Sequence, residues 1–198
     1  MKTTILTFYL LIITLASCSS NDNDNGFTPT LPPITQTGEN TFGCYIDGEL
    51  LVPRDGTGYY GGSDDGMLTS VSGDAPNWIY KDISVHDYKS GTNGIMDIHF
   101  VDLHENGEGT FNINESNCEK RIWANATINI RCRMNEKWYC SIEDTGTMTI
   151  TRYDYNNRIF SGTFSCSAVN RDDPDDIVEI TEGRFDIKWD TLINVTFP

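Results

Sequence analysis

The amino-acid sequence predicts an all-β domain over residues 41–198, an antiparallel β-sandwich or flattened barrel of roughly ten strands. Three observations predict it. Apolar and polar residues alternate with a period of two through most of the span, as in strands with one buried face. Turn-forming pairs such as Asp47-Gly48 and Asn106-Gly107 separate the alternating runs. After residue 40, no window sustains the apolar i, i+3, i+4, i+7 spacing of an amphipathic helix.

The individual strands follow this alternation along the chain. Residues 124–134 form the longest run, with apolar side chains at the even positions and polar side chains at the odd ones. Residues 160–168 and 184–189 repeat the pattern nearer the C-terminus. Shorter runs cover residues 42–46, 79–85, 96–100, 148–150 and 193–197. Because successive side chains of a strand point to opposite faces, each run is expected to bury one face and expose the other.

An apolar run near the N-terminus ends at a cysteine. Lys2 precedes residues 5–15, which are apolar apart from two threonines, and this run is shorter than the about 20 residues that span a bilayer. A positive segment, a short apolar core and small residues together predict a cleaved secretory signal peptide over residues 1–17.

The stretch Leu15-Ala16-Ser17-Cys18 resembles the lipobox of bacterial lipoproteins. The resemblance implies that Cys18 becomes the first residue of the mature chain, with a diacylglyceryl group on sulfur and an acyl chain, such as palmitate, on nitrogen. Two or more acyl chains anchor a protein stably, whereas a single chain holds it only marginally. The alternative is plain secretion, with Cys18 left to form a disulfide.

Residues 19–40 are rich in Asn, Asp, Ser, Thr, Pro and Gly and nearly free of aliphatic side chains. Such a segment cannot bury enough apolar surface to offset its ordering entropy, so residues 18–40 are predicted to be a disordered tether. The Asn and Asp residues behind Cys18 also resemble the surface-export signal of Bacteroidota lipoproteins, which implies display on the cell outer membrane. The alternative is that they only solvate the tether.

Two longer stretches carry a further resemblance. "NTFGCYIDGELLVP" and "GTMTITRYDYNNRIFSGTFSCSAV … ITEGRFDI" are similar to an uncharacterised group of Bacteroidota lipoprotein domains, over most of residues 40–189. This resemblance implies the all-β fold and the envelope location. It brings no activity and no functional residue with it.

The mature chain is strongly acidic. Removal of residues 1–17 takes away Lys2 and no acid, so 13 basic residues stand against 29 acidic ones, a net charge of −16. This balance excludes nucleic acid, which proteins bind by neutralising phosphates, and it excludes electrostatic binding to anionic lipid. A local basic patch is the exception, or these residues only keep a strand edge soluble. Its members are Lys120, Arg121, Arg131, Arg133 and Lys137.

Five cysteines remain when Cys18 is lipidated. A three-residue loop at residues 135–137 would place Cys132 and Cys140 opposite each other, which predicts a disulfide between them. Cys44 and Cys166 occupy inward positions and could pair across the core, which leaves Cys118 unpaired. The spacings do not fit a zinc site.

Catalytic signatures are absent from the sequence. The histidines are His86, His99 and His104, and no G-x-S-x-G, H-E-x-x-H or phosphate-binding Gly loop accompanies them. We therefore expect ordinary surface or edge histidines, no cofactor and no enzyme. Acidic residues in a loop between two strands could hold Ca²⁺, although their spacing is not that of an EF-hand, or could be only a solvated loop. They are Asp172, Asp173, Asp175 and Asp176.

Aromatic residues in loops or at outward strand positions are the candidate binding residues. They are Tyr59, Tyr60, Trp78, Tyr80, Trp138, Tyr153 and Tyr155. Exposed aromatic rings stack on sugar rings or anchor proteins, although in a sandwich they more often pack in the core. The sequence therefore favours a lipid-anchored module that binds an extracellular glycan or protein. The alternative is a structural accessory subunit of an outer-membrane assembly, in contact through a strand edge, and an enzyme comes third.

Overall fold

The computed structural model of the protein describes residues 27–58, 64–75, 79–118 and 127–198. The all-β prediction is confirmed, because these residues form eleven strands and two short helical segments. The strands are β1 (Thr41–Ile46), β2 (Glu49–Leu51), β3 (Met67–Ser72), β4 (Tyr80–His86), β5 (Ile95–Val101), β6 (Gly109–Asn112), β7 (Ile128–Met134), β8 (Lys137–Ser141), β9 (Thr147–Asp154), β10 (Ile159–Asn170) and β11 (Asp173–Lys188). The helical segments are α1 (Leu103–Asn106) and a 3₁₀ helix (Leu192–Asn194).

All described strands belong to one antiparallel sheet that is not closed into a barrel. Its main path runs β2-β1-β11-β10-β8-β7-β5-β4-β3. The strand β10 pairs with β9 from Ile159 to Ser165 and with β8 from Ala168 to Asn170, and β6 pairs with β9. A register shift against β11 after Phe164 falls at this change of partner. Because such bulges increase strand twist, the shift helps the sheet fold over its own core.

One hydrophobic core takes side chains from the inward face of the sheet. Its aromatic centre is formed by Phe100, Phe160 and Phe185, whose ring centroids lie 5.2 to 6.1 Å apart. Full burial of each such side chain stabilises the fold by about 1.5–3 kcal/mol. With the apolar residues turned inward, the opposite face, here called the outer face, carries the polar residues that the alternation predicts.

Residues 35–39 pack on the domain, so the predicted tether extends too far along the chain. The carboxylate of Asp186 in β11 accepts hydrogen bonds from Thr35 Oγ1 (2.7 Å) and from the backbone N–H groups of Thr37 (2.9 Å), Gly38 (2.8 Å) and Glu39 (3.1 Å). These bonds cross about 150 residues of sequence and need no apolar side chain, which is why composition alone missed them. The domain begins before residue 41.

Asp186 is only 1% exposed, and Ser161 Oγ donates a fifth hydrogen bond to it at 2.6 Å. Burial opposes ionisation of this carboxyl, but the hydrogen bonds from Ser161, from Thr35 and from the backbone outweigh burial, so the pKa of Asp186 is lowered from its ordinary value. The charged form of one carboxylate therefore holds the N-terminal segment on the sheet.

The predicted disulfide between Cys132 and Cys140 is wrong, because the turn of the β7–β8 hairpin is one residue shorter than the sequence predicts. Asn135 and Glu136 alone form the turn, both with positive φ (50° and 67°). A one-residue change of register moves a side chain to the other face. Cys132 therefore lies opposite Tyr139, and its thiol and that of Cys140 point to opposite faces of the sheet.

Cys140 forms its disulfide with Cys118, which the sequence left unpaired, and their Cα atoms are 5.2 Å apart. The predicted pairing of Cys44 with Cys166 is also wrong, since both are free buried thiols, as is Cys132. In the sheet β11 lies between β1 and β10, so Cys44 and Cys166 sit on strands about 9.6 Å apart, beyond the reach of a disulfide.

Candidate binding pocket on the outer face

Polar residues of the outer face meet because the antiparallel register aligns them in rows. Asp82 of β4 lies opposite Ser70 of β3 and opposite His99 of β5, and His99 lies opposite Asn129 of β7. The Asp82 carboxylate accepts a hydrogen bond from Ser70 Oγ (3.1 Å) and lies 2.6 Å from Nδ1 of His99. Asp82, His99 and Asn129 are buried, with His99 only 6% and Asn129 only 4% exposed, whereas Ser70 is exposed. His99 is therefore not the surface or edge histidine that the sequence predicts.

The row ends in two polar atoms, Nε2 of His99 and Nδ2 of Asn129, that have no hydrogen-bond partner among the described residues. An imidazole held by a carboxylate on Nδ1 is the arrangement that orients a general base. Within the described parts of the chain, however, no hydroxyl or thiol is bonded to Nε2, so the nucleophile of a catalytic triad is missing there.

The neighbouring row is an ion-pair network. Oδ1 of Asp97 accepts a hydrogen bond from Ser84 Oγ (2.6 Å), while its Oδ2 accepts from Nε (2.9 Å) and Nη2 (2.7 Å) of Arg131. Arg131 also donates to the carbonyl oxygen of Cys118 (3.0 Å), and its guanidinium lies 4.5 Å from the ring centroid of Trp138. Together with the disulfide to Cys140, this network ties Cys118 to the outer face.

A pocket of about 160 Å³ opens beyond these rows, where β4 and β5 are joined by the turn at residues 87–94. It is lined by His86, Asp87, Tyr88, Asn93, Gly94, Ile95 and Arg133. His86, Ile95 and Arg133 form one more cross-strand row, and the turn closes its end. The volume is below the about 300–1,000 Å³ of sites for drug-sized molecules, so it suits one monosaccharide-sized group.

Tyr88 supplies the exposed aromatic surface of the pocket. Its ring stacks on that of His86 with the centroids 5.2 Å apart and an interplanar angle of 18°, and the residue is 41% exposed. Burial raises the pKa of Tyr88, and the carboxylates of Asp64, Asp65 and Asp55 raise it further, so its hydroxyl stays protonated at neutral pH. The stacked pair therefore presents a fixed ring face with a neutral hydroxyl at its rim.

The charges of the pocket are unequally compensated. Asp87 accepts hydrogen bonds from Nε (2.6 Å) and Nη2 (2.9 Å) of the buried Arg54, and from the backbone N–H groups of Lys89 and Ser90. The negative charge of Asp87 is thus compensated by the buried guanidinium of Arg54. Arg133, by contrast, forms no ion pair and no hydrogen bond within the described residues.

The predicted aromatic candidates divide into four groups. Tyr80 is buried, 8% exposed, and its ring centroid lies 5.1 Å from that of His99, so it offers no binding surface. Trp138 lies opposite Arg133 in the β7–β8 pair, one strand away from the pocket. Tyr153 and Tyr155 lie elsewhere, in a cluster around His104, whose ring centroid is 5.7 Å and 5.2 Å from theirs. Tyr59, Tyr60 and Trp78 lie outside the described residues, as do Cys18, Lys120 and Arg121.

The sequence did not single out Tyr88. The signal was present, since an aromatic residue follows the apolar run at residues 79–85 and precedes the turn residues Gly91-Thr92-Asn93-Gly94. Its stacking on His86 could not be read from the sequence, because it depends on how the chain leaves β4.

The predicted calcium ligands do not converge on one point. They are Asp172, Asp173, Asp175 and Asp176, and three of them belong to the start of β11 instead of a loop. Asp172 pairs with Arg171 (2.9 Å), and Asp176 pairs with Lys137 (2.8 Å). Among the described residues, no group of three or more His, Cys, Asp or Glu side chains is placed to hold a metal ion.

A larger groove of about 300 Å³ lies beside β9, β10 and β11. It is lined by Ile34, Thr147, Thr149, Thr163, Phe164, Ser165, Glu182, Gly183 and Arg184. The guanidinium of Arg184 already bonds Glu182 (3.0 Å) and the carbonyl of Pro32 (3.3 Å), and the one aromatic residue in this lining, Phe164, is buried. The smaller pocket therefore has the better surface for stacking.

Lys81 of β4 is a buried amine that the sequence analysis missed. It is 1% exposed, and its Nζ lies 4.4 Å from the ring centroid of Trp189 and 5.0 Å from that of Phe160. Burial lowers its pKa to about 7. The phase of the strand predicts this position, since Lys81 shares the inward face with Ile83.

No family model, no curated protein and no solved structure matches this chain. Within its described residues, no helix has the length and apolar character needed to cross a bilayer.

Proposed function

We propose that this protein is a lipid-anchored module of the cell envelope that binds an extracellular glycan, without catalysis, in the pocket between Tyr88 and Arg133. The observation that carries the proposal is the stack of Tyr88 on His86 at the rim of a monosaccharide-sized pocket. Sugar rings have apolar faces that stack on aromatic side chains and hydroxyls that need polar partners. Asn93 and Arg133 provide such partners in the same lining.

Rigidity supports the binding role. The pocket sits on paired strands, and the Arg54–Asp87 ion pair fixes the start of the turn that closes it. A site that is already ordered loses less conformational entropy when its ligand binds. The rows of Asp82–His99 and Asp97–Arg131 hold the neighbouring strands in register.

The binding proposal is tested with the purified protein on an array of cell-surface and extracellular glycans, followed by titration of the strongest ligand. Tyr88→Ala should weaken binding about tenfold, since stacking contributes about 0.5–1.5 kcal/mol beyond the buried area. Tyr155→Ala removes an aromatic residue of the His104 cluster and should leave the affinity unchanged. Equal affinities of the two variants, or no glycan bound at all, would contradict the proposal.

The anchor is the second part of the proposal, and the lipobox ending at Cys18 supports it. Cys18→Ala should move the protein from the detergent phase to the aqueous phase in phase partitioning of cell fractions. A variant that still enters the detergent phase would show that another segment attaches it.

An accessory subunit is the second candidate function, and β3 favours it. Among the described strands β3 ends the sheet and pairs only with β4, and its Leu68 and Val71 are exposed. Such an edge can accept a strand from another protein. If the protein is such a subunit, Val71→Lys should abolish its co-purification with an envelope complex and leave glycan binding intact. If it is only a glycan-binding module, Val71→Lys should not change which proteins co-purify with it.

A further inference from the structure

The charge of Arg133 distinguishes this pocket from a site for neutral sugars. The neighbouring cations of the structure are each held by a carboxylate: Arg54 by Asp87, Arg131 by Asp97 and Lys137 by Asp176. Arg133 lines the pocket and has no such partner within the described residues. Because Asp87 is neutralised by Arg54, the lining as a whole carries the positive charge of Arg133.

The lining brings one positive charge and one exposed ring together. Arg133 and Tyr88 both line the pocket, while the carboxylates of Asp55, Asp64 and Asp65, which raise the pKa of Tyr88, are not part of the lining. At physiological salt, charges beyond about 8 Å are largely screened, so the net negative charge of the whole protein acts weakly here compared with Arg133 in contact. A ligand that fits this lining carries an anionic group that pairs with Arg133 and a ring face that stacks on Tyr88.

A uronic acid unit has this distribution of groups. Its carboxylate matches the planar fork of a guanidinium, which donates two parallel hydrogen bonds to it. Its ring face can lie on Tyr88, and its hydroxyls can bond to Asn93 in the same lining. We infer that the pocket selects carboxylate-bearing sugars, that is, uronic acid units of an acidic extracellular glycan, an inference that rests on the proposed glycan-binding function.

The test compares matched ligands on the full-length protein purified in detergent. The probes are tetramers of glucuronate, galacturonate and mannuronate, and the same tetramers with every carboxylate methyl-esterified. Esterification keeps the ring faces and hydroxyls and removes only the charge. For at least one sugar, the acid form should bind ten times or more tighter than its ester, as loss of a charge-assisted bidentate contact predicts.

Two variants assign the preference to the pocket. Arg133→Gln should bind the acid and the ester equally, at about the affinity of the wild-type protein for the ester. Arg158→Gln is the matched control, because its guanidinium stacks on Tyr155 in another part of the structure, 4.8 Å from that ring centroid. It should keep the full preference. Unchanged melting temperatures show that both variants are folded.

The outcomes separate this inference from the function on which it rests. If wild type binds acids and esters equally, or binds only neutral glycans that Tyr88→Ala releases, the carboxylate selectivity is wrong and glycan binding stands. If Arg133→Gln keeps the preference, the inference is also wrong. If no sugar binds and an acidic peptide does, both the inference and the proposed function are overturned.

Discussion

Replacing Asp186 by Asn should destabilise the protein strongly at neutral pH and hardly at all in acid. Oδ2 of Asp186 accepts three of its five hydrogen bonds, from Thr35, Thr37 and Glu39, and Oδ1 accepts the other two. In the variant one of these oxygens becomes an amide nitrogen, which is a donor. Whichever oxygen is replaced, at least two donors then face an N–H group.

The magnitude follows from these contacts. A hydrogen bond to a charged group contributes about 1.5–3 kcal/mol net, and rotation of the Ser161 or Thr35 hydroxyl recovers part of the loss. We therefore expect Asp186→Asn to lower the free energy of unfolding by about 3–5 kcal/mol at pH 7. For a domain of this size, that corresponds to a fall in melting temperature of about 10 °C. Asp190→Asn, which changes an exposed carboxylate four residues on, is the control and should change little.

The pH dependence has a definite sign. Because the pKa of Asp186 is lowered in the folded protein, its contribution is complete above the unfolded value of about 3.9 and is lost as the pH falls through the folded value. Urea denaturation followed by tryptophan fluorescence measures both proteins from pH 7 to pH 2. A midpoint equal to wild type at pH 7, or a difference that persists undiminished at pH 2, would refute the reasoning.

Three further predictions concern the N-terminus, the disulfide and the buried amine. A protein that starts at Thr41 should melt several degrees below one that starts at Phe27, because it lacks the segment bound to Asp186; equal melting temperatures would restore the predicted tether. Cys118→Ser should cost about 3 kcal/mol, as expected for a bridge across 22 residues, and an unreduced digest should link Cys118 to Cys140. Relative to Lys81→Met, the free energy of unfolding of wild type should rise between pH 7 and pH 10, since the unfolded state binds the extra proton there; parallel pH curves would contradict the lowered pKa.

Most strands were predictable because alternation is a local property. The strand predicted over residues 193–197 is wrong, since Leu192–Asn194 form a 3₁₀ helix and no strand follows it. Residues 160–168 and 184–189 were assigned from their own side chains, and residues 160–168 lie in β10 and residues 184–188 in β11. Register was less predictable, since it depends on the length of each turn. Glu136 is not a residue that turn statistics favour at positive φ, so a two-residue turn at Asn135 and Glu136 was not the expected one. The loop that is shorter by one residue shifts the register of β7 against β8, so Cys132 no longer lies opposite Cys140.

The sequence predicted which kinds of residue form the site, but not where these residues lie in the fold. Trp138 and Arg133 were named from the sequence as an aromatic candidate and as a member of a basic patch, and the structure places them opposite each other. The sequence did not identify Tyr88, because the role of an aromatic residue in a loop depends on the residue on which it stacks in the folded protein. The N-terminal segment was misassigned for the same reason, since the partner of Thr35 lies 151 residues away.

The three free thiols among the described residues impose an order on the oxidation of this chain. Burial, followed by the nearby thiols of Cys132 and Cys166, raises the pKa of the Cys44 thiol. Burial also raises the pKa of the Cys132 thiol, and it raises the pKa of Cys166 to about 12. Disulfide exchange requires a thiolate, so the finished core is inert toward oxidants. Before the core has closed, the same thiols compete with Cys118 for Cys140. In an oxidising compartment, formation of the Cys118–Cys140 disulfide thus requires that the hydrophobic core closes before the cysteines are oxidised. The yield of native protein should fall when an oxidant is added before the core has closed.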